Sequence, residues 1–372
     1  MEEAATNLAT TVAWLGFGLA FVFGFIANKT NFCTMGAVSD VVNMGDWGRM
    51  RAWLLAIAIA MIGTNALVLH GDLDLTKTIY TTPNFTWLAY ILGGLCFGVG
   101  MTLASGCANK CLVRVGGGNM KSVVVFLFLG YSALVTLKGI FGEFRVSVLQ
   151  SAPVTHNFGG SQTIPYLMEG LFGLDHRTLH IAITLLLAGG IIVFCFLDKE
   201  FRTSLDNVLA GLVIGAIVTA GWYVTGKIGY AENPDTLEMT FFGTNSHLAE
   251  SMSFVAPTSY TMDLWAYWTD VSTVVTFGIA TVFGIGIGSF VYALITKSFR
   301  WEGFTSPQDM FRHIIGAVLM GFGGVTAMGC TVGQGITGVS TLSLGSFIAF
   351  LSIVAGAAIT MKIQYIMMMR EA

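Results

Sequence analysis

The sequence predicts an all-α polytopic membrane protein of about nine transmembrane helices, with short re-entrant helices and two inverted, pseudo-symmetric halves. Three observations predict it. Only 10% of the 372 residues are charged, against 54% hydrophobic and a mean hydropathy of +0.74, where a soluble domain carries roughly 25% charged residues. Apolar stretches of about 17–25 residues recur, the length that crosses roughly 30 Å of hydrocarbon. A weak internal repeat relates two of these stretches across an odd number of spans.

The expected spans lie near 10–28, 53–70, 87–105, 122–137, 179–197, 207–223, 270–296, 313–329 and 341–361. Their apolar runs are continuous rather than alternating every second residue, which selects helices over a barrel. The first span begins too late and lacks a basic leader, so it reads as a retained helix rather than a cleaved signal. Placing residues 29–52, 106–121, 198–206, 297–312 and 362–372 in the cytoplasm puts 13 of the 18 Lys and Arg there. That bias predicts an external N terminus and a cytoplasmic C terminus.

Residues 1–140 form the expected first membrane repeat, 141–200 an external loop and linking helix, and 201–372 the second repeat. Two long external connections, about 138–178 and 224–268, read as partly ordered caps. Their histidines, His156, His176 and His247, lack metal-ligand spacing. No metal or cofactor is expected, and no motif or basic tract points to nucleic acid.

The repeat pairs "GVGMTLASGCANKC" (98–111) with "GFGGVTAMGCTVGQ" (321–334), matching Gly98 to Gly321, Gly100 to Gly323, Ala104 to Ala327 and Cys107 to Cys330. A fainter echo sets "FGFIANKTNFC" (23–33) against "AGWYVTGKIGY" (220–230), placing Cys33 opposite Tyr230. Spans one to four precede a single linking span and six to nine follow it, so the second set lies upside down. Inverted repeats are a common transporter build, with the transported species bound at the repeat interface.

The six cysteines read differently by position. Cys96 and Cys195, inside spans, read as ordinary core residues. Cys107 and Cys111 lie on the expected cytoplasmic side, where thiols stay reduced, and they lack companion ligands for zinc. Cys33, Cys107 and Cys330 differ, because each stands where an apolar helix meets a small or polar breaking segment. They are either buried core thiols or weak, polarizable donors along a path for a soft sulfur-containing anion.

Half-length helices at such breaks would present N-terminal N–H groups that favour an anion. Lys29, four residues before Cys33, and Lys110, three after Cys107, either attract that anion or are ordinary interfacial cations. Asn28, Asn31, Asn109, Thr331 and Gln334 are further candidate donors.

On "ANKTNFCTMGAVSD", "GVGMTLASGCANKC" and "LMGFGGVTAMGCTVGQGITG", the chain resembles the YeeE/YedE family of bacterial inner-membrane sulfur transporters. The resemblance implies thiosulfate uptake, without enzymatic turnover, through an hourglass-shaped helical protein embedded in membrane lipid. It places the family's three path-lining cysteines on Cys33, Cys107 and Cys330, and implies a small TusA-like sulfur carrier as cytoplasmic partner. The expected substrate-binding set is thus Cys33, Cys107, Cys330, Lys110 and Lys29. Lys110 and Cys111 depart from the small or hydroxyl residues expected after Gly-Cys. Alternative readings are a transporter of another sulfur or selenium species, a membrane thiol enzyme handling persulfides, and a non-transporting partner that recruits a sulfur carrier.

Overall fold

Hydrocarbon offers no water to a peptide group, so the apolar runs fold as helices that satisfy their own N–H and C=O groups. The computed structural model describes residues 2–173, 175–233, 236–270 and 273–371. The first half runs through α1 (Glu2–Lys29), α2 (Thr34–Met44), α3 (Gly48–His70), α4 (Trp87–Leu103), α5 (Ala108–Gly116) and α6 (Met120–Lys138). The short helices α7 (Ile140–Phe144) and α8 (Ile164–Phe172) lead to α9 (His176–Leu197) and α10 (Lys199–Thr203). The second half holds α11 (Leu205–Tyr223), α12 (Val255–Ala266), α13 (Phe277–Ile295) and α14 (Pro307–Thr326). A helical segment at 331–340, π-wound over Gly333–Gly338, and α15 (Leu344–Glu371) complete it.

Among the described residues, eight helical stretches are long and apolar enough to cross a membrane. The chain is an all-α, multi-pass membrane protein. The ninth expected span, near 313–329, falls on α14, whose first turns carry Asp309, Arg312 and His313 and dilute its hydropathy. The apolar remainder of α14 packs between α4 and α6.

The two runs of helices interlock. α1 packs on α13 and α11 on α3, while α4 packs on α15 and α14 on α6. At the centre α4 crosses α14 with backbone nearly touching backbone. A Cβ on Gly100 would lie 2.6 Å from the Gly316 carbonyl oxygen, and one on Gly316 would lie 2.6 Å from that of Gly100. Gly93 and Gly323 meet in the same reciprocal way, at 2.8 and 2.6 Å. Gly93 and Gly316, Gly100 and Gly323, and Cys107 and Cys330 share one separation in sequence. One pseudo-twofold relation therefore accounts for both glycine contacts and for the paired Gly-Cys segments.

Two short antiparallel ladders pin the long connections. β1 (Asn84–Phe85) pairs with β2 (His156–Asn157), and β3 (Tyr230–Glu232) with β4 (Met239–Phe241). The expected match of Cys33 with Tyr230 fails here. Tyr230 lies in β3, its ring on Phe241 and its hydroxyl accepting from Lys77. The helix that follows α11 as α2 follows α1 is α12, and the inserted β3–β4 hairpin displaces the sequence register between them.

Candidate functional site

One local construction occurs three times. α1, α4 and α14 each end with a residue in left-handed backbone, Asn31 (φ 52°), Ser105 (φ 56°) and Met328 (φ 59°). The next N–H, of Phe32, Gly106 or Gly329, reaches back to the carbonyl of Ala27, Met101 or Gly324 at 3.0, 2.9 and 2.8 Å. This is the Schellman arrangement that satisfies the last carbonyls of a helix. The residue after it is Cys33, Cys107 or Cys330, and each opens a new helix. Their carbonyls accept the first helical bonds, from Ala37 (2.9 Å), Cys111 (2.9 Å) and Gln334 (2.7 Å).

Two of the sulfur atoms cap their helices. Cys33 Sγ accepts from Gly36 N–H and Cys330 Sγ from Gly333 N–H, both at 3.4 Å. The Lys110 N–H faces Cys107 from the matching position, while the Cys107 thiol donates to the Asn109 side-chain oxygen. The three N-termini converge. The Cys33 and Cys107 thiols stand within reach of one another, and the Thr331 hydroxyl, next to Cys330, lies beside Cys107. All three cysteines are buried and free. Helix N-termini carry partial positive charge and unpaired N–H groups, so three aimed at one point favour an anion there.

Lys110 brings a full charge to the same point. It is 8% exposed, its ammonium donates to the Asn31 side chain, and its charge reaches Cys33 and Cys107. Behind Cys33, Arg49 crosses over Gly36 and grips the buried Asp40 with two charge-assisted hydrogen bonds. Phe32 stacks on Trp53 at 4.8 Å and Trp53 on Phe350 at 6.1 Å, which ties the first break to α3 and α15. Below Lys110 opens a cavity of about 430 Å³ whose lining includes Arg114, Lys121, Arg300 and His313, with Glu302 and Asp309.

Tyrosine, serine and one carboxyl stand on the opposite side of the cluster. Tyr80 packs edge-on against Trp222 at 6.1 Å, and Ser253 and the Tyr80 hydroxyl flank Gly333. Glu250 sits in the connection before α12, with Ser246 on one oxygen, the other shielded and unpartnered, and Tyr80 and Tyr260 nearby. Burial pushes its carboxyl up to about 7 and raises the Tyr80 phenol as well.

Of the expected residues, the fold brings together Cys33, Cys107, Cys330 and Lys110. It leaves Lys29 on the surface, 41% exposed and 3.9 Å from Asp206. Cys111 is turned away, its thiol donating to the Gly106 carbonyl at 3.8 Å, and Cys195 donates to the Arg51 carbonyl at 3.4 Å. Sequence reasoning missed Tyr80, Ser253, Arg49 and Glu250. For Ser253 and Glu250 the polar content of the second long connection was the one hint, and Tyr80 and Arg49 lie outside both long connections.

A bundle of membrane helices interrupted at its centre, with helix N-termini, thiols and one lysine around a buried point, defines a membrane protein built to handle a small anion. Comparison with known proteins sharpens the class. A sulphur transport family matches residues 29–359, and the chain belongs to this YeeE/YedE family. It is similar to the thiosulfate transporter TsuA of Escherichia coli strain K12, 24% identical over 94% of this chain and 94% of that protein. It is also similar to the thiosulfate transporter TsuA of Spirochaeta thermophila, 26% identical over 92% of this chain and 96% of that protein.

Proposed function

We propose that the chain carries thiosulfate, or a closely related sulfur anion, across the bacterial inner membrane by way of Cys33, Cys107 and Cys330. The observation that carries this reading is the convergence of three identically built helix breaks, each opening its second helix with a cysteine. Thiols are weak donors, so an anion passed between them is held loosely enough to leave. Lys110 supplies attraction at the thiols, with Arg49 held by Asp40 behind Cys33, and the cavity below it serves as a basic vestibule. The names of the similar proteins support thiosulfate as substrate.

In this reading residues 1–140 and 201–372 are the two repeats, joined by 141–200. The N terminus is external and the C terminus cytoplasmic, and the vestibule opens to the cytoplasm, where a TusA-like sulfur carrier collects the product. Thiosulfate uptake into liposomes tests it. Single Cys33→Ala, Cys107→Ala and Cys330→Ala variants should each lose most uptake, and full uptake by all three overturns the relay. The proximity of Cys33 to Cys107 also suits a thiol enzyme. A persulfide on either residue after turnover, detected by mass spectrometry, would favour that reading instead.

A further inference from the structure

We propose that Asn109 and Thr331 determine specificity by binding the oxygen end of the anion while the thiols meet its terminal sulfur. The inference rests on the reading above and assigns substrate contacts beyond the cysteines. Asn109 is 0% exposed and Thr331 1% exposed. The Asn109 side-chain oxygen is fixed by the Cys107 thiol, yet its amide nitrogen is shielded from solvent with no hydrogen-bond partner. The Thr331 hydroxyl lies beside the same thiol, its one polar neighbour among the described residues, and makes no other hydrogen bond. Buried polar groups in native proteins are nearly always paired, and an orphaned donor calls for an explanation.

Here an orphaned amide and a hydroxyl met only by the thiol stand at one sulfur. One stands on the first turn of α5 and one on the first turn of the 331–340 segment, at two of the helix N-termini that favour an anion. Gln334 is not part of the pair, because its amide donates to the Ala327 carbonyl.

The chemistry of the set matches a bifunctional anion. Thiosulfate carries three hard oxygens and one soft terminal sulfur. Amide and hydroxyl donors suit the oxygens, whereas thiols suit the sulfur. Sulfate offers no soft end and hydrosulfide offers no oxygens, so each leaves part of the set unpaired. A site built to hydrogen-bond a group rejects analogues lacking it, because its own buried donors are then stranded. Neutral donors also hold the anion less tightly than cations would, as passage requires.

The test uses the purified full-length protein in liposomes with thiosulfate as probe. Thr331→Val keeps the shape and removes the hydroxyl, and should raise KM for thiosulfate roughly tenfold or more, the usual loss for a hydrogen bond to a charged group. Thr331→Ser should restore it. Asn109→Asp keeps the acceptor that holds the Cys107 thiol but replaces the free donor with an oxygen, and should abolish uptake while Cys107 stays in place. A purely structural role predicts unchanged KM in all three. An unchanged KM in Thr331→Val and Asn109→Asp, with wild-type uptake intact and the cysteine variants inactive, overturns this inference alone. Absence of thiosulfate uptake by the wild-type protein overturns the transport reading instead. If Thr331→Val does not fold, as judged by thermal melting, Asn109→Asp on the other half carries the same decision.

Discussion

Gly100→Ala tests the architecture that holds the site. The added methyl would stand 2.6 Å from the Gly316 carbonyl oxygen and 2.8 Å from the Met320 nitrogen, where ordinary contact begins near 3.4 Å. Relief therefore requires α4 and α14 to part by roughly 0.8 Å, because the blocking atoms are backbone and cannot turn aside. Overpacking of this kind costs about 1–3 kcal/mol, against about 1 kcal/mol of helix propensity gained by alanine. Net destabilisation of ~0–2 kcal/mol is expected, and ~1–3 kcal/mol relative to an alanine placed in open space. Gly323→Ala, which meets the Gly93 carbonyl at 2.6 Å, should cost a similar amount.

The double variant should cost less than the sum, since one methyl already separates the helices for the other. Thermal unfolding of detergent-purified protein measures this, with Gly18→Ala as control because nothing lies within 4 Å of its added Cβ. Cys107 follows Gly100 by seven residues, just past the end of α4, and lies beside Thr331, which follows α14, so uptake should fall further than stability does. Gly100→Ala melting level with Gly18→Ala would refute the crossing as the element that sets the site.

Two further outcomes follow from buried charge. Arg49→Met strands the Asp40 carboxylate, whose side chain is 4% exposed, and should destabilise by about 3–5 kcal/mol. Adding Asp40→Asn should recover most of that loss in the same melting assay, and no recovery would sever the pairing from stability. Glu250 gives a pH dependence. Its folded pKa, about 7, lies above the ordinary 4.5, so its neutral form is favoured by folding. The associated stability is complete below pH 4.5 and is lost as pH rises to about 7, a change on the order of 3 kcal/mol. Glu250→Gln should flatten the melting profile between pH 5 and 8 relative to wild type, and an equally steep profile would exclude Glu250 as the source.

The membrane architecture was legible because apolar runs in lipid have one backbone solution, and the repeat marked Gly100 and Gly323, though not their contact partners Gly316 and Gly93. The three breaks were legible one at a time, but their common geometry was not. Helix ends of this type usually place glycine in the left-handed position, whereas Asn31, Ser105 and Met328 occupy it here. Lys29 and Lys110 looked equivalent by their distance from a cysteine. Helical phase separates them, since Lys29 ends α1 facing Asp206, and Lys110 sits on the buried first turn of α5. Glu250 and Tyr80 were hidden because hydropathy treats a connection as solvent-facing, and these connections fold inward over the cysteines. Tyr230 was misplaced because sequence alignment cannot see a hairpin inserted between paired helices.

The asymmetry at the centre bears on direction. Gly36, Lys110 and Gly333 stand three residues after their cysteines, each presenting an N–H to the sulfur, yet only one carries a cation. That cation stands on the side of the basic cavity, while Tyr80 and Ser253 flank the other side. A fixed charge deepens binding and raises the rate of approach, but it cannot alter the equilibrium ratio of an uncoupled anion across a membrane. Net uptake through such a site follows a gradient or the chemical removal of the anion at the inner face. In the proposed transport, Lys110 therefore acts on occupancy rather than on direction. Its hydrogen bond to Asn31 tempers that pull, which in the same reading lets an anion drawn toward it from neutral donors leave into the vestibule.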